Sequence, residues 1–245
     1  MSITNRQEQI LNILNERTFI TVNELAKMTF TSPSSIRRDL TYLQNNGLAQ
    51  RTHGGVSKPK PIKGVASFHD RSHKNIKQKR IIAQKASTLL KEGQNIILDS
   101  SSTATFMLPY IAKFSSITIF TNNLSTALRA IELGINTYCI GGHAINDSVV
   151  LSGTETYKTL SNINADILFF SSQSLNINGD ISDSTEEENY VRMLMIESSK
   201  KSVFLCDNEK FNQTSLHRLC NIDDIDIAVF NESFEGLNTK SKILS

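Results

Sequence analysis

The sequence predicts a two-part α/β protein: an N-terminal winged helix-turn-helix, then a layered domain built on a mostly parallel sheet. Three observations carry this. Short capped helices and a basic, glycine-tipped hairpin fill residues 1–56. Apolar strand runs alternate with amphipathic helices from residue 76 onward, the pattern of an α/β sheet. Charge is divided: residues 1–80 hold fourteen Lys/Arg against five Asp/Glu, and residues 81–245 hold twelve against nineteen. The overall net charge of +2 hides that split. A basic head on an acidic body points to nucleic acid at one end and a different task at the other.

The head is read element by element. Ile10, Leu11, Ile13 and Leu14 stripe the first helix. Thr21 and Glu24 have capping-box spacing, in which each side chain satisfies a free backbone N–H. Leu25, Ala26 and Met28 give the second helix a short apolar face. Ser32 is a good N-cap, and Pro33 sits where its missing N–H costs nothing. Ile36, Leu40 and Leu43 point inward at helical spacing. Ser34, Ser35, Arg37, Arg38 and Thr41 are left on the other faces, and Asn46-Gly47 stops the helix. Gln50, Arg51, Thr52 and His53 then lead to Gly54-Gly55, a small wing.

Duplex DNA explains this arrangement. A recognition helix puts its first residues at base edges in the major groove. Arginine bridges guanine O6 and N7 with two bonds, and serine and threonine hydroxyls serve bases or phosphates. The candidate DNA contacts are Ser32, Ser34, Ser35, Arg37, Arg38, Thr41, Arg51 and His53. The bland alternative is a solvated face of Arg37, Arg38 and Asp39. The capped helices and the wing around the pair favour DNA. A third use, a winged helix serving protein contacts alone, is separable by footprinting.

A linker is expected over 57–73. Ser57-Lys58-Pro59-Lys60-Pro61-Ile62-Lys63 holds two of the four prolines and three lysines. Arg71, Lys74, Lys77, Lys79 and Arg80 form a basic lead-in to the next helix, at the start of a domain expected over 74–245. That domain is expected to sense an effector and to oligomerise. Helices are predicted over 76–90, with Ile81, Ile82, Ala86 and Leu89 inward, and over 105–112, with Pro109 as a kink or an early end. Further helices are predicted over 125–132, 156–160 and 186–198. Strands are predicted over 95–98, 117–120, 136–140, 165–170, 202–205 and 225–230, with a further one over 149–151. Ligands bind beyond the carboxyl ends of such strands. Three polar loops fall there: Asp99-Ser100-Ser101-Ser102-Thr103, Thr121-Asn122-Asn123, and Asp207 to Phe211 with Lys210. The first opens a helix, where free N–H groups and hydroxyls favour an anion.

Other classes are disfavoured. No apolar run approaches the roughly twenty residues of a membrane span. The first residues lack the apolar core of a signal peptide. A soluble, cytoplasmic protein is expected. Cys139, Cys206 and Cys220 are scattered in apolar surroundings without zinc spacing, which predicts reduced core thiols. His53 has no ligand cluster around it, and His143 reads as a loop histidine. No metal or cofactor is expected.

The head resembles the DeoR family of bacterial transcriptional regulators. The carrying residues are Arg6 to Leu14, Leu25-Ala26, Ser32, Ile36-Arg37-Arg38-Asp39-Leu40, Leu43, Gly47, Arg51 and His53-Gly54-Gly55. Ser35 replaces the family's usual threonine, and Val56 its usual alanine. The remainder resembles that family's effector domain, which is similar in fold to ribose-5-phosphate isomerase and CoA transferases. Its carrying pieces include Leu98-Asp99 with Ser101-Ser102-Thr103, Thr121-Asn122-Asn123, Gly141-Gly142, Gly153, Asp183, Glu188, and Asp207 with Lys210-Phe211. Ser101 stands where many relatives have glycine.

The resemblance implies a repressor of sugar-metabolism genes, relieved by a phosphorylated sugar and working on an operator as a homo-oligomer. Ser101, Ser102 and Thr103 would hold the phosphate and Lys210 would add charge. Asn122 or Asn123 and Glu188 would take sugar hydroxyls. Asp99 would bind hydroxyls or pin its loop. Glu188 has an alternative, an ion pair with Arg192 one turn on. The rival class is a sugar-phosphate isomerase-like or CoA-transferase-like enzyme with an accessory winged helix. The isomerases carry Ala-Asp-Glu with a second aspartate two residues later. This chain reads Ala165-Asp166-Ile167-Leu168-Phe169, so half of that acid–base pair is absent and no enzyme is expected.

Overall fold

The computed structural model describes residues 4–17, 19–45, 48–52, 54–57, 68–145 and 149–245. The chain divides into two compact units, Met1–Lys63 and Gly64–Ser245. The helix stop at Asn46-Gly47, the wing's His53 and the lysines and prolines of 58–63 lie outside the described residues.

In the head, Thr4 and Gln7 form a capping box that starts α1 (Asn5–Glu16). The second box, Thr21 with Glu24, stands where β1 (Phe19–Thr21) turns into α2 (Val22–Met28). The Ser32 hydroxyl accepts the Ser35 N–H at 3.3 Å, so α3 (Pro33–Asn45) begins at the expected cap. The wing is β2 (Gln50–Thr52) and β3 (Gly55–Ser57), and β1 pairs with the far side of β3. That third strand was not anticipated. It explains Gly55, because a Cβ there would meet the Ile20 carbonyl oxygen at 2.5 Å. Ile10, Leu14, Ile20, Leu25, Ile36, Leu40, Leu43 and Val56 close the core.

The expected linker over 57–73 is too long at both ends. Ser57 belongs to β3, and Phe68–His73 is a helix, α4, within the second unit. Its end is held by a tertiary contact, not by local propensity: the Lys79 ammonium donates to the carbonyls of Arg71 and Lys74. Next, α5 (Ile76–Ala86) passes into a short 3₁₀ turn. Its phase differs from expectation. Lys79, Ile82, Ala83 and Ala86 face inward, whereas Ile81 is 41% exposed.

Then come β4 (Asn95–Leu98), α6 (Ser102–Thr105) and α7 (Leu108–Ile111). The single kinked helix expected over 105–112 is thus two short ones, with Pro109 in the first turn of α7, where proline is tolerated. The chain continues through β5 (Thr118–Thr121), α8 (Leu124–Glu132), β6 (Asn136–Cys139), β7 (His143–Ala144) and β8 (Leu151–Ser152). After α9 (Thr154–Leu160) follow β9 (Ile167–Phe170), β10 (Ser174–Leu175), β11 (Asp180–Asp183) and α10 (Glu186–Glu197). The last strands are β12 (Ser202–Cys206), β13 (His217–Asn221), β14 (Ile227–Phe230) and β15 (Lys242–Leu244).

Seven strands make one sheet in the order β15-β14-β12-β9-β4-β5-β6, and every pairing is parallel. The fold class is as expected. β9, β12 and β14 are buried along their whole length, as befits a sheet covered on both faces. Alternate residues divide between two cores. Leu98, Phe169, Val203 and Val229 face α5, α6 and α7; Ile97, Phe170, Phe204 and Phe230 face α9 and α10. β10, β11 and β13 form a small antiparallel sheet that was not anticipated. Cys206 and Cys220 suit the core-thiol expectation, and burial pushes both thiols up to about 12. Cys139 does not: it is exposed on the edge strand β6. No helix among the described residues is long and apolar enough to cross a membrane.

Phe30, between α2 and α3, takes φ +49° and is 97% exposed. A bulky residue strains that left-handed conformation and gains no burial here. Phe30→Gly is therefore expected to stabilise the head by about 1 kcal/mol. Denaturant unfolding of the full chain, followed through the head's transition, checks this; a loss of stability would refute the strain.

Candidate functional site

The carboxyl ends of β4, β9 and β12 open onto a cleft of about 220 Å³ in the second unit. It is small beside the roughly 300–1,000 Å³ pockets of drug-sized ligands, and matches a small metabolite. Arg71, Lys74, Lys79, Arg192 and Lys210 bring positive charge to its walls; Asp183, Asp207 and Glu209 bring negative charge. Ser101, Ser102, Thr103, Ser171, Ser172 and Gln173 supply neutral polar groups.

Behind the cleft floor, Arg192 is 1% exposed and binds three carboxylates. Its Nε donates to Asp99 Oδ2 at 3.1 Å, Nη1 to Asp183 Oδ2 at 2.9 Å and Nη2 to Glu188 Oε2 at 2.9 Å. Asp99 also accepts the backbone N–H groups of Ser101 and Ser171. Burial alone raises the Asp183 carboxyl, but Arg192 and the Ser184 N–H outweigh it and hold it below the usual range. Burial would lower the Arg192 guanidinium; the carboxylates reverse that and push it up.

Lys79 is the unusual cation. It is 3% exposed, and burial, with repulsion from Lys210, lowers its ammonium to about 8. It donates to the Arg71 and Lys74 carbonyls and, at 3.2 Å, to Ser102 Oγ. Lys210 donates to Ser171 Oγ at 2.8 Å and stands 3.5 Å from Asp207. Three cleft-lining atoms are buried without a hydrogen-bond partner among the described residues: Arg71 Nε, Thr103 Oγ1 and Asp207 Oδ2, the last with the Lys210 ammonium 3.5 Å away.

The expected effector residues separate into groups. Ser101, Ser102, Thr103 and Lys210 line the cleft together. The Ser101 hydroxyl is occupied as the N-cap of α6, accepting the Ala104 N–H. Asp99 and Glu188 stand behind the wall, tied to Arg192, and Asp99 pins its own loop. Asn122 and Asn123 are fully buried and do not line the cleft. The Asn122 amide donates to the Leu151 carbonyl; Asn123 caps α8 and donates to the Ser100 carbonyl. His143 pairs within β7 and lies 3.6 Å from Glu187.

Residues that the sequence reading missed are Arg71, Lys79, Ser171, Ser172, Asp183 and Arg192. The signals were present. Lys79 repeats with Ile82, Ala83 and Ala86, and Arg192 with Glu188, Val191 and Met195, at the spacing of an inward stripe. A charge on such a stripe needs a buried partner. Ser171-Ser172 follows a strand, as the other site loops do.

In the head, Ser32, Ser34, Arg37, Arg38, Thr41 and Arg51 are exposed, and Ser35 is half-buried. Asp39 departs from the solvated-face alternative. It is buried and accepts from Arg6 Nε at 2.5 Å and Gln7 Nε2 at 3.3 Å, tying α3 to α1. Arg37 and Arg38 are exposed on that turn, with no ion pair among the described residues.

Residues 6–61 match the DeoR-like helix-turn-helix domain, and residues 74–232 match the DeoR C terminal sensor domain. The chain belongs to the DeoR family. Among curated DeoR-family relatives it is 32% identical to the HTH-type transcriptional regulator GolR of Listeria innocua, over 91% of this chain and 89% of that one. It is 33% identical to the L-fucose operon activator of Haemophilus influenzae, over 90% and 88%. Among solved structures it is similar to ribose 5-phosphate isomerase A of Methanocaldococcus jannaschii, with TM-score 0.43 and 15% identity over 56% of this chain and 55% of that one.

In this DeoR-family body, removing the guanidinium would strand three buried carboxylates. Arg192→Met is expected to destabilise the second unit by about 3–5 kcal/mol, leaving the head's transition in place. Denaturant unfolding with a probe in each unit tests it. A loss under about 1 kcal/mol would show that Arg192 does not hold the site together.

Proposed function

We propose that this chain is a DNA-binding regulator of sugar-metabolism genes: a repressor whose grip on its operator is loosened by a phosphorylated sugar. The observation that carries the reading is the cleft, where Lys79, Lys210 and Arg71 converge with the hydroxyls of Ser102 and Thr103. A phosphate satisfies such a set of donors at once. One relative is named for an L-fucose operon, which supports a sugar-related role here. That relative is named an activator, so the sign of regulation needs its own reporter measurement. Repression in the empty state suits a head that closes its own core and presents Arg37 and Arg38 without help from a ligand.

One recognition helix and one wing read a short half-site, so the working form is a homo-oligomer. Effector binding favours a body arrangement that spaces the heads wrongly. A coupling of about 1–3 kcal/mol loosens the grip about 5- to 150-fold. We place the protein in the cytoplasm, with its DNA. Nothing in the cleft favours turnover. Asp166, the remaining acid of the isomerase pattern, accepts the Asn95 N–H and pairs with Lys200 at the amino end of β9, away from the cleft.

A thermal-shift panel of phosphorylated sugars, each beside its unphosphorylated parent, tests the sensor. One phosphorylated compound is expected to raise the melting temperature and release operator DNA, and its parent to do neither. Stabilisation by parent sugars alone would remove the phosphate from the reading.

On the DNA side, Arg37→Ala and Arg38→Ala are each expected to weaken operator binding by about 1–3 kcal/mol if they read bases. A phosphate contact would instead weaken all sequences alike and flatten the salt slope. Unchanged affinity in both variants at moderate salt would sink the interface.

The cleft also predicts a pH profile. Lys79 faces Arg71, Lys210, Asp207 and Glu209, and it loses its proton near pH 8. A bound phosphate favours the charged form. Affinity is therefore highest between the second phosphate ionisation near 6 and pH 8. Above pH 8 it falls by up to about tenfold per pH unit. Calorimetric titration between pH 7 and 9.5 would read this, and a flat profile would exclude Lys79 from the contact.

A further inference from the structure

The cleft has one wall that does not belong to the sheet. Arg71 and Lys74 sit on and just after α4, the first described element after the head in chain order. Asn75 follows in the left-handed conformation, φ +54°, and joins α4 to α5. Three hydrogen bonds join this short segment to the body. Lys79 Nζ donates to the carbonyls of Arg71 and Lys74, and Asn75 Nδ2 donates to Asp207 Oδ1 at 3.1 Å. The ammonium has three donors, and Ser102 Oγ takes the third. The cation best placed for an anion thus has all three donors engaged, two of them on α4 and the residue just beyond it.

Arg71 supplies the opposite half of the contact. Its Nε is buried, lines the cleft and has no hydrogen-bond partner among the described residues. An unpaired buried guanidinium N–H is costly. Thr103 Oγ1, on α6, is in the same state. The two orphaned groups come from two different elements lining one cavity, and an anion between them would satisfy both.

We propose that Arg71 is an effector-binding residue and that α4 is the element that reports occupancy. In the empty cleft Lys79 ties down the α4 carbonyls; a bound phosphoryl group takes a donor from Lys79 and bonds Arg71, so α4 exchanges a backbone tether for a ligand tether. The segment through which the chain enters the body then differs between the empty and loaded states. This rests on the anion-binding reading of the cleft. It adds a residue and a transmission route that the sheet loops do not supply.

The test uses the full chain and inorganic phosphate at constant ionic strength, with chloride as control. Calorimetry gives affinity, and hydrogen exchange follows the amides of 68–75. Phosphate is expected to change exchange over 68–75 in the natural protein. Arg71→Gln is expected to lose about tenfold in phosphate affinity, a charge-assisted bond's worth, and to lose the exchange response. Arg71→Lys, which keeps the charge without the fork, should fall between. Should Arg71→Gln fail to fold, the lysine variant and the natural protein's exchange pattern still decide. Lys210→Ala distinguishes the two levels. If it loses phosphate while both Arg71 variants bind normally, or exchange over 68–75 ignores phosphate, this inference fails and the cleft stands. If the natural protein binds no phosphate, both fall.

Discussion

The site depends on one guanidinium. Arg192 lies among Asp99, Asp183 and Glu188, on β4's trailing loop, at the end of β11 and one turn back on α10. Burying four charges is expensive, and a pair of good geometry only offsets that cost. The cluster is therefore poor evidence of stability and good evidence of placement. Asp99 shows why. Held by Arg192, it accepts the backbone N–H groups of Ser101 and Ser171, so the loops after β4 and β9 are fixed together. Their hydroxyls then face the cleft with no need for a ligand to arrange them. A site built this way loses little ordering entropy when it binds.

The head uses the same device on a smaller scale. In Ile36-Arg37-Arg38-Asp39-Leu40, Ile36 and Leu40 are core residues. Asp39 is buried against Arg6 and Gln7, which sets the angle of α3 on α1. Only the two arginines remain outside. Three of five residues in that run fix the helix, and two are left exposed. The run reads as a binding motif, yet most of it is scaffold.

Local chemistry made much of this legible. Thr21 with Glu24 and Ser32 with Pro33 mark real helix starts, because a cap is decided within four residues. Continuous apolar runs gave β9 and β12 within two residues, because a doubly covered strand has no polar face. Long-range partners were illegible. Lys79 reads in sequence as part of a basic lead-in, because the carbonyls that accept its protons, those of Arg71 and Lys74, are brought to it only by the packing of α4. Asn122 and Asn123 looked like ligand groups, yet their amides bond backbone across 29 and 23 residues of chain. β15 carries exposed residues and is a strand only because β14 lies beside it. The same limit applied to Ile81 and Ile82, which only the packed sheet distinguishes.

The carboxylates of the cleft bear on the proposed sensing role. A general base must stand near the reacting atom with a pKa close to working pH. Asp183 is bonded to Arg192 and held below the ordinary range, which weakens it as a base. Asp207 takes Asn75 through one oxygen and has Lys210 beside the other. Glu209 is exposed on the rim. The cations are less constrained in what they gain. Lys79 sits with its proton affinity depressed by burial, and Arg71 keeps an unpaired N–H. On the proposed anion-binding reading, a bound anion would partner both groups, and such a gain is differential binding between two states. That is the thermodynamic requirement for a switch, since a ligand moves an equilibrium only by the difference in its affinity for the two forms. A catalyst needs its tightest contacts in the transition state instead. The proposed sensing role needs only the first of these, and the unpartnered Arg71 Nε and Thr103 Oγ1 are groups that a ground-state ligand would meet.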